Sequence, residues 1–146
     1  MKIFLDTSSL FKLYHREADT AVIEKLFTES KITNVYLSEI TKVEFTSTIW
    51  KKVRTKEISE LEAKTTIGLF ETDIRKYTFI ATNSLIIEQA NILTSKYGLQ
   101  GLRTLDSIQL SSAIASKFEV DLFITSDKLL KSLLETEGLN TLLPKS

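Results

Sequence analysis

Residues 2–10 read KIFLDTSSL, a short apolar run that leads directly into an aspartate and three hydroxyl residues. An apolar run without alternation is typical of a strand buried on both faces, as in a parallel sheet. Asp6 would then follow the carboxyl end of that strand, which is the edge where open α/β sheets bind ligands. The alternative is that Asp6 only caps the next helix, because Asp, Ser and Thr are all favourable N-cap residues.

The composition indicates one ordinary globular domain. The chain has 146 residues, 42% hydrophobic and 26% charged, with a formal net charge of zero. Any nucleic-acid binding would therefore depend on local clusters of basic residues. No apolar run approaches the roughly 20 residues that span a membrane, and the start carries no signal-peptide pattern. We expect a cytoplasmic protein with no membrane partner.

Several kinds of chemistry are excluded by residues that the chain lacks. It contains no cysteine, and His15 is its single histidine. These absences exclude thiolate and histidine-cluster metal sites and make a Ser-His-Asp triad an unfavourable hypothesis. The four glycines form no phosphate-binding loop motif. Catalysis would have to use carboxylates, hydroxyls, lysines and arginines.

Strand patterns alternate with helix patterns along the chain. Beyond the first strand, we predict strands at 35–37, 77–80, 122–125 and 139–143. We predict a helical turn over 9–14 and helices ending near residues 29, 56, 70, 96, 115 and 137. The proposed N-caps are Asp19 or Thr20, Ser38, Ser59 (in a capping box with Glu62) and Asp127. The alternation predicts a three-layer α/β/α fold with a mostly parallel central sheet and one domain over residues 1–146.

A glutamate falls on the predicted inner face of the long helix after residue 38. The helical repeat places Ile40, Val43, Glu44 and Ser47 on one stripe. Because a buried carboxylate is costly unless it is paired or binds a metal, Glu44 is a candidate functional acid. The alternatives are a salt bridge to a neighbouring cation or a stripe displaced by one position.

Two further aspartates lie at helix starts. Asp106 is in the first turn of a helix beginning near Thr104. This helix carries no charge between Asp106 and Lys117 and should be covered on most sides. Its alternative role is compensation of the helix dipole. Asp127 follows the apolar strand at 122–125, repeating the order strand, hydroxyl residues, aspartate and helix. Asp121 lies at the other end of that strand and is left out of the site.

The four acids together suggest a metal centre. If Asp6, Glu44, Asp106 and Asp127 meet, their charges repel and burial raises their pKa values. Carboxylates without nitrogen or sulfur ligands suit Mg²⁺ or Mn²⁺, which can activate a water for attack on a phosphodiester. Ser8 and Thr125 could orient the carboxylates from a second layer.

This pattern resembles the PIN-domain endoribonucleases of the VapC type, the toxin halves of toxin–antitoxin pairs. The matching pieces are LDTS at 5–8, LY at 13–14, Glu44, LRTLDSIQLSSA at 102–113 and ITSD at 124–127. The resemblance implies Mg²⁺- or Mn²⁺-dependent cleavage of RNA, often tRNA or rRNA, a homodimer and a cognate antitoxin. The family often has histidine at the position of Gln109, and Glu39 is the alternative to Glu44 as the helix-borne acid.

A basic cluster lies at the end of the helix that carries Glu44. Its members are Lys51, Lys52 and Arg54, followed by Lys56. One interpretation is a solvated helix face. The other is a set of RNA phosphate contacts, with Trp50 available to stack on a base.

Two other functions compete with the nuclease. A non-catalytic module on the same fold would act through its dimer or partner surface. A phosphatase forming an aspartyl-phosphate most often needs a second aspartate two residues after the first, where this chain has Ser8.

Overall fold

A parallel sheet of four strands forms the centre of the molecule. The structure is a computed structural model that describes residues 1–17 and 20–142. The strands are β1 (Lys2–Leu5), β2 (Asn34–Ser38), β3 (Tyr77–Ile80) and β4 (Leu122–Ile124). Their order is β3-β2-β1-β4, and every pairing is parallel. β1 therefore lies between two neighbours, as expected of an apolar strand without alternation.

Helices cover both faces of this sheet. In the described residues they are α1 (Thr7–Phe11), α2 (Thr20–Glu29), α3 (Thr41–Arg54), α4 (Glu60–Asp73), α5 (Ser84–Tyr97), α6 (Thr104–Ala115) and α7 (Lys128–Thr136). Short 3₁₀ turns follow α4 and α5. None of these helices is both long and apolar enough to cross a membrane.

Two hydrophobic cores result from the alternation of β1 side chains. Ile3 and Leu5 pack with α1, α2, α3 and α4 in one core, whereas Phe4 packs with α5, α6 and α7 in the other. All three side chains are buried. The three-layer α/β/α prediction is confirmed.

The start of α3 differs from the prediction. Ser38 does not cap this helix, because its backbone continues β2 to a pairing with Ile80. Its hydroxyl is buried and accepts a hydrogen bond from Ser112 Oγ at 3.1 Å. α3 begins only at Thr41. Its N-cap residue is Ile40, and no side-chain hydrogen bond caps the helix.

The predicted last strand is also absent from the described residues. Phe123 N donates to Asn140 O at 2.8 Å, and the Asn140 side-chain amide donates to Asp121 O at 3.0 Å. These two contacts hold the segment beside β4 without forming a ladder. Leu143 lies outside the described residues.

The starts of α2, α4 and α7 agree with the predicted caps, whereas that of α1 does not. The capping box of Ser59 and Glu62 is present, with Glu62 N donating to Ser59 Oγ at 3.1 Å. α2 begins at Thr20, whereas Asp19 lies outside the described residues. α1 begins at Thr7, two residues before the predicted turn, because Asp6 is its N-cap.

Candidate active site

Asp6 and Asp127 lie at the same edge of the sheet because their strands are neighbours. β1 pairs with β4 in register Leu5 with Ile124, and Asp6 N donates to Ile124 O at 3.3 Å. Asp6 follows β1 and Asp127 closely follows β4. Both acids are therefore at the carboxyl edge of the sheet, as predicted.

Asp6 is buried among hydroxyl and amide donors. Its side chain accepts from Ser9 N at 3.0 Å, from Ser8 Oγ at 2.9 Å and from Thr125 Oγ1 at 2.6 Å. Only 5% of the residue is exposed. Burial raises the pKa of this carboxyl, and the hydrogen bonds, that of Thr125 foremost, oppose the rise. Asp6 thus does cap α1, and it also lines the cleft described below.

The same hydroxyls connect Asp6 to the turn that carries Asp127. Ser126 N donates to Ser8 Oγ at 3.2 Å, and Asp127 N donates to Thr125 Oγ1 at 3.0 Å. Asp127 also caps α7 through Leu130 N at 2.7 Å. One carboxylate oxygen of Asp127 is therefore committed to the helix, while the residue itself remains exposed.

Asp106 joins this pair across the cleft. It lies in the first turn of α6 and is partly buried. Its pKa is raised first by burial and then by the negative charges of Asp127 and Asp6, against the opposing charge of Arg103. The negative charges of Asp6 and Asp127 therefore both act on Asp106.

Glu44 reaches the site although the predicted stripe of α3 was wrong. The buried face consists of Thr41, Phe45 and Ile49, whereas Val43 is 70% exposed. The stripe is displaced by one position, because the aromatic ring of Phe45 fills the core. Glu44 stays partly buried at its border.

Two uncharged donors hold the Glu44 carboxylate. Thr7 Oγ1 donates to Glu44 Oε1 at 3.0 Å, and Gln109 Nε2 donates to the same oxygen at 2.8 Å. Within residues 1–17 and 20–142, a network of neutral donors takes the place of the salt bridge that was considered as an alternative. Glu39, the other candidate acid, is exposed.

All four acids line one cleft of about 480 Å³. Gln109 also lines it, although no role was predicted for this residue. It is 2% exposed within a run of α6, residues 107–113, that is entirely buried. A single amide side chain in an otherwise small or apolar buried run was the signal available in the sequence.

The basic residues are divided by the position of the cleft. Lys52 lines it, together with Lys12, which was not among the predicted site residues. Lys51 and Arg54 are exposed and do not line the cleft. Trp50 is partly buried and packs against the core.

The carboxylate oxygens that line the cleft suit a hard divalent cation, and the geometry limits how many of them can bind it directly. Among residues 1–17 and 20–142, no group of three or more histidine or acidic side chains is arranged to hold a metal ion. Mg²⁺ usually keeps several waters and takes only one or two protein carboxylates directly. The buried carboxyl of Asp6 and the mutual repulsion acting on Asp106 fit such a cation as the counter-charge.

Solved structures share this fold. VapC20 of Mycobacterium tuberculosis, described as a sarcin-ricin loop cleaving toxin, is 17% identical, with a TM-score of 0.70 over 97% of this chain and 99% of that chain. VapBC2 of Rickettsia felis, solved with a promoter DNA fragment, is 14% identical, with a TM-score of 0.64 over 97% and 98%. VapBC-1 of nontypeable Haemophilus influenzae is 16% identical, with a TM-score of 0.64 over 97% of both chains.

The family of the chain follows from its sequence. No curated relative matches it. The model of the PIN domain, however, matches residues 3–133, which include Asp6, Glu44, Asp106 and Asp127. The chain therefore belongs to the PIN domain family.

Proposed function

We propose that this chain, as a single domain over residues 1–146, is a Mg²⁺- or Mn²⁺-dependent endoribonuclease and the toxin of a toxin–antitoxin pair. The observation that carries the proposal is the convergence of acids from four separate stretches on one cleft. When bound, the cation supplies a Lewis acid and lowers the pKa of its bound water. The family match and the shared fold of the VapC toxins support this assignment.

The residues take distinct roles in the proposal. Asp6, Asp106, Asp127 and Glu44 hold the cation, directly or through water. Ser8 and Thr125 fix the orientation of Asp6 through hydrogen bonds of 2.9 Å and 2.6 Å. Hydroxyl donors orient the Asp6 carboxylate and leave its negative charge in place. A lysine in the same position would neutralise that charge.

The descriptions of the similar structures support a substrate class and partners for this proposal. VapC20 is described as cleaving the sarcin-ricin loop, so a structured rRNA loop is the first substrate to test, followed by tRNA. The VapBC structures support a cognate antitoxin. A homodimer is part of the proposal, and exposed apolar side chains, which include Leu61, Leu69, Leu85 and Ile92, offer surface for such partners.

The test is cleavage of an end-labelled sarcin-ricin loop RNA and of tRNA. Wild type should cleave with Mg²⁺ or Mn²⁺ and should be inactive with EDTA. Asp6→Asn should lose about 100-fold or more of the rate, since the cation contributes several kcal/mol to transition-state stabilisation. Asp121→Asn is the matched control, because Asp121 lies at the opposite end of β4 and binds Lys2 N at 2.8 Å. Full activity of a folded Asp6→Asn variant would contradict the proposal.

A second candidate is a non-catalytic binding module. The observation that favours it is that no three acids in the described residues are arranged to hold an ion. This function predicts no metal-dependent cleavage of any RNA together with tight capture of the antitoxin encoded beside the toxin.

A further inference from the structure

A second cavity lies beside the turn that carries Asp127. Its volume is about 240 Å³, and Ser126 and Asp127 line both this cavity and the acidic cleft. The two cavities therefore share one wall, and a strand bound in the cleft can continue into the second cavity. Sites for drug-sized ligands have volumes of roughly 300–1,000 Å³, so this smaller cavity suits a single planar ring system.

Most of the lining of this second cavity is apolar. Phe123 and Ile124 of β4 and Ile23 of α2 line it, and all three are buried. Val22 of α2 also lines it and is 46% exposed. Thr125 contributes a polar group, because its main-chain N–H has no hydrogen-bond partner among the described residues. A nucleobase matches these walls, since it is flat and carries hydrogen-bond acceptors at its edge.

Two lysines of the second cavity lie within about one helical turn of Asp127. Lys128 and Lys131 line the cavity and are exposed, and Lys131 N donates to Asp127 O at 2.9 Å. Because the two lysines are three residues apart on α7, their Cβ atoms are about 5–6 Å from each other. Neither lysine forms an ion pair within the part of the chain that the structure describes. Both charges are therefore available to a phosphate.

The two cavities differ in the charges that line them. Five carboxylates and two lysines line the acidic cleft, whereas Asp127 is the one carboxylate beside Lys128 and Lys131 in the second cavity. One carboxylate oxygen of Asp127 is already bound to Leu130 N at 2.7 Å. RNA is a polyanion, so the second cavity offers its phosphates a positively charged site next to the acids.

We propose that the second cavity is a nucleotide subsite, which takes up the base next to the cleaved bond and binds the phosphate of that nucleotide through Lys128 and Lys131. This inference rests on the proposed ribonuclease function. The occupant is RNA rather than a protein segment, because the cavity continues from the acidic cleft and its unpaired charges are positive. The RNA strand would pass over the turn of residues 124–127, which separates the two cavities.

The phosphate contact is tested by RNA binding without cleavage. Binding of a short fluorescein-labelled single-stranded RNA is measured by anisotropy in EDTA, at salt concentrations between about 50 and 200 mM. Lys128→Ala and Lys131→Ala should each weaken binding and reduce the slope of log K against log salt by about 0.7, the value for one lost contact to a single strand. Lys25→Ala is the matched control, because Lys25 is an exposed lysine of α2 that does not line the cavity. Equal slopes for all three variants would overturn the subsite.

The base pocket is tested with a second strand of the same length, made of abasic tetrahydrofuran spacers. Because both strands carry the same phosphates, the ratio of their affinities measures the binding of bases. Val22→Phe fills part of the cavity and should reduce this ratio by about fivefold, the lower end of the contribution of one stacked base. Val43→Phe is the matched control, since Val43 is exposed on α3 and lines neither cavity. A wild-type ratio in the Val22→Phe variant would contradict the base pocket.

The outcomes also distinguish this inference from the proposed function. If wild type cleaves RNA while the variants of Lys128, Lys131 and Lys25 bind alike, the subsite is wrong and the nuclease stands. If the variants of Lys128 and Lys131 selectively lose binding while wild type cleaves no RNA with Mg²⁺ or Mn²⁺, the RNA subsite stands and the nuclease is wrong. Weaker capture of the antitoxin by these two variants, with unchanged RNA binding, would assign the cavity to a protein partner and overturn the inference.

Discussion

Gln109 Nε2 donates a hydrogen bond of 2.8 Å to Glu44 Oε1. The same nitrogen lies 3.1 Å from Thr7 Oγ1 and 2.9 Å from Thr41 Oγ1, so its two hydrogens face three oxygens. Gln109 Oε1 is buried without a hydrogen-bond partner among the described residues. An unpaired buried acceptor is costly, so the favourable contribution of this amide comes from its donors. Gln109 orients the Glu44 carboxylate and leaves the negative charge of Glu44 available to a cation.

Replacing Gln109 by methionine tests this orienting role. Gln109→Met keeps the size of the side chain but removes the donor to Glu44. We expect a loss of about 10–100-fold in metal affinity or cleavage rate, as is typical when a partner of a metal ligand is removed. The measurements are Mn²⁺ affinity by calorimetry and kcat and KM for RNA cleavage.

A conservative variant separates orientation from folding. Gln109→His retains a ring N–H that can donate to Glu44, and it should recover part of the activity lost in Gln109→Met. The free energy of unfolding should change little in the methionine variant, because the unpaired Gln109 Oε1 is removed as well. Wild-type metal affinity in a folded Gln109→Met variant would show that Gln109 is only a packing residue.

The assignment of Glu44 has its own matched control. Glu44→Gln removes the charge inside the cleft, whereas Glu39→Gln removes one from an exposed residue. We expect the first variant to lose at least about tenfold in kcat, equivalent to 1.4 kcal/mol, and the second to behave as wild type. The reverse result would identify Glu39 as the functional acid.

The aspartate positions could be predicted because they depend on local sequence. Asp6 and Asp127 each follow a short apolar run, and the carboxyl ends of parallel strands share one edge. That these strands are direct neighbours could not be predicted, since the order β3-β2-β1-β4 depends on packing between distant segments. The register of Leu5 with Ile124 brings the ends of the two strands, and with them Asp6 and Asp127, to one edge of the sheet.

The remaining parts of the site depend on tertiary packing. The buried face of α3 is displaced by one position from the predicted face. Val43 is therefore exposed to solvent, whereas Glu44 still lies at the border of the core. Gln109 could be recognised only as a polar residue in a buried run, without its partners. Lys12 carries no local signal, because its place at the cleft follows from the end of α1 and the packing of Phe11.

Asp6→Asn tests the energetic cost of the buried acid. Burial raises the folded-state pKa of Asp6 above its usual value of 3.8. At pH values between the unfolded-state pKa and the higher folded-state pKa, the folded state binds more protons than the unfolded state. The free energy of unfolding therefore falls as pH rises through that interval. Metal-free Asp6→Asn should lack this fall and be at least as stable as wild type at neutral pH. The hydroxyls of Ser8 and Thr125 can rotate to pair with the new amide.

Thermal unfolding in EDTA across this pH range provides the measurement, with Asp121→Asn as the control expected to follow wild type. Lower stability of Asp6→Asn at neutral pH would contradict the assigned cost. Added Mg²⁺ should reverse the ranking, because binding to the folded state stabilises wild type by about 2.7 kcal/mol at a concentration 100 times Kd. Asp6→Asn should show a much smaller rise.

Binding of Mn²⁺ followed by electron paramagnetic resonance tests the shared acidic cleft most directly. Titrations would compare wild type with Asp6→Asn, Glu44→Gln, Asp106→Asn and Asp127→Asn, and with the control Asp121→Asn. Wild type and the control should take up Mn²⁺ with equal affinity, and each of the four cleft variants should bind it more weakly. Equal Mn²⁺ affinity in all six folded proteins would contradict the account.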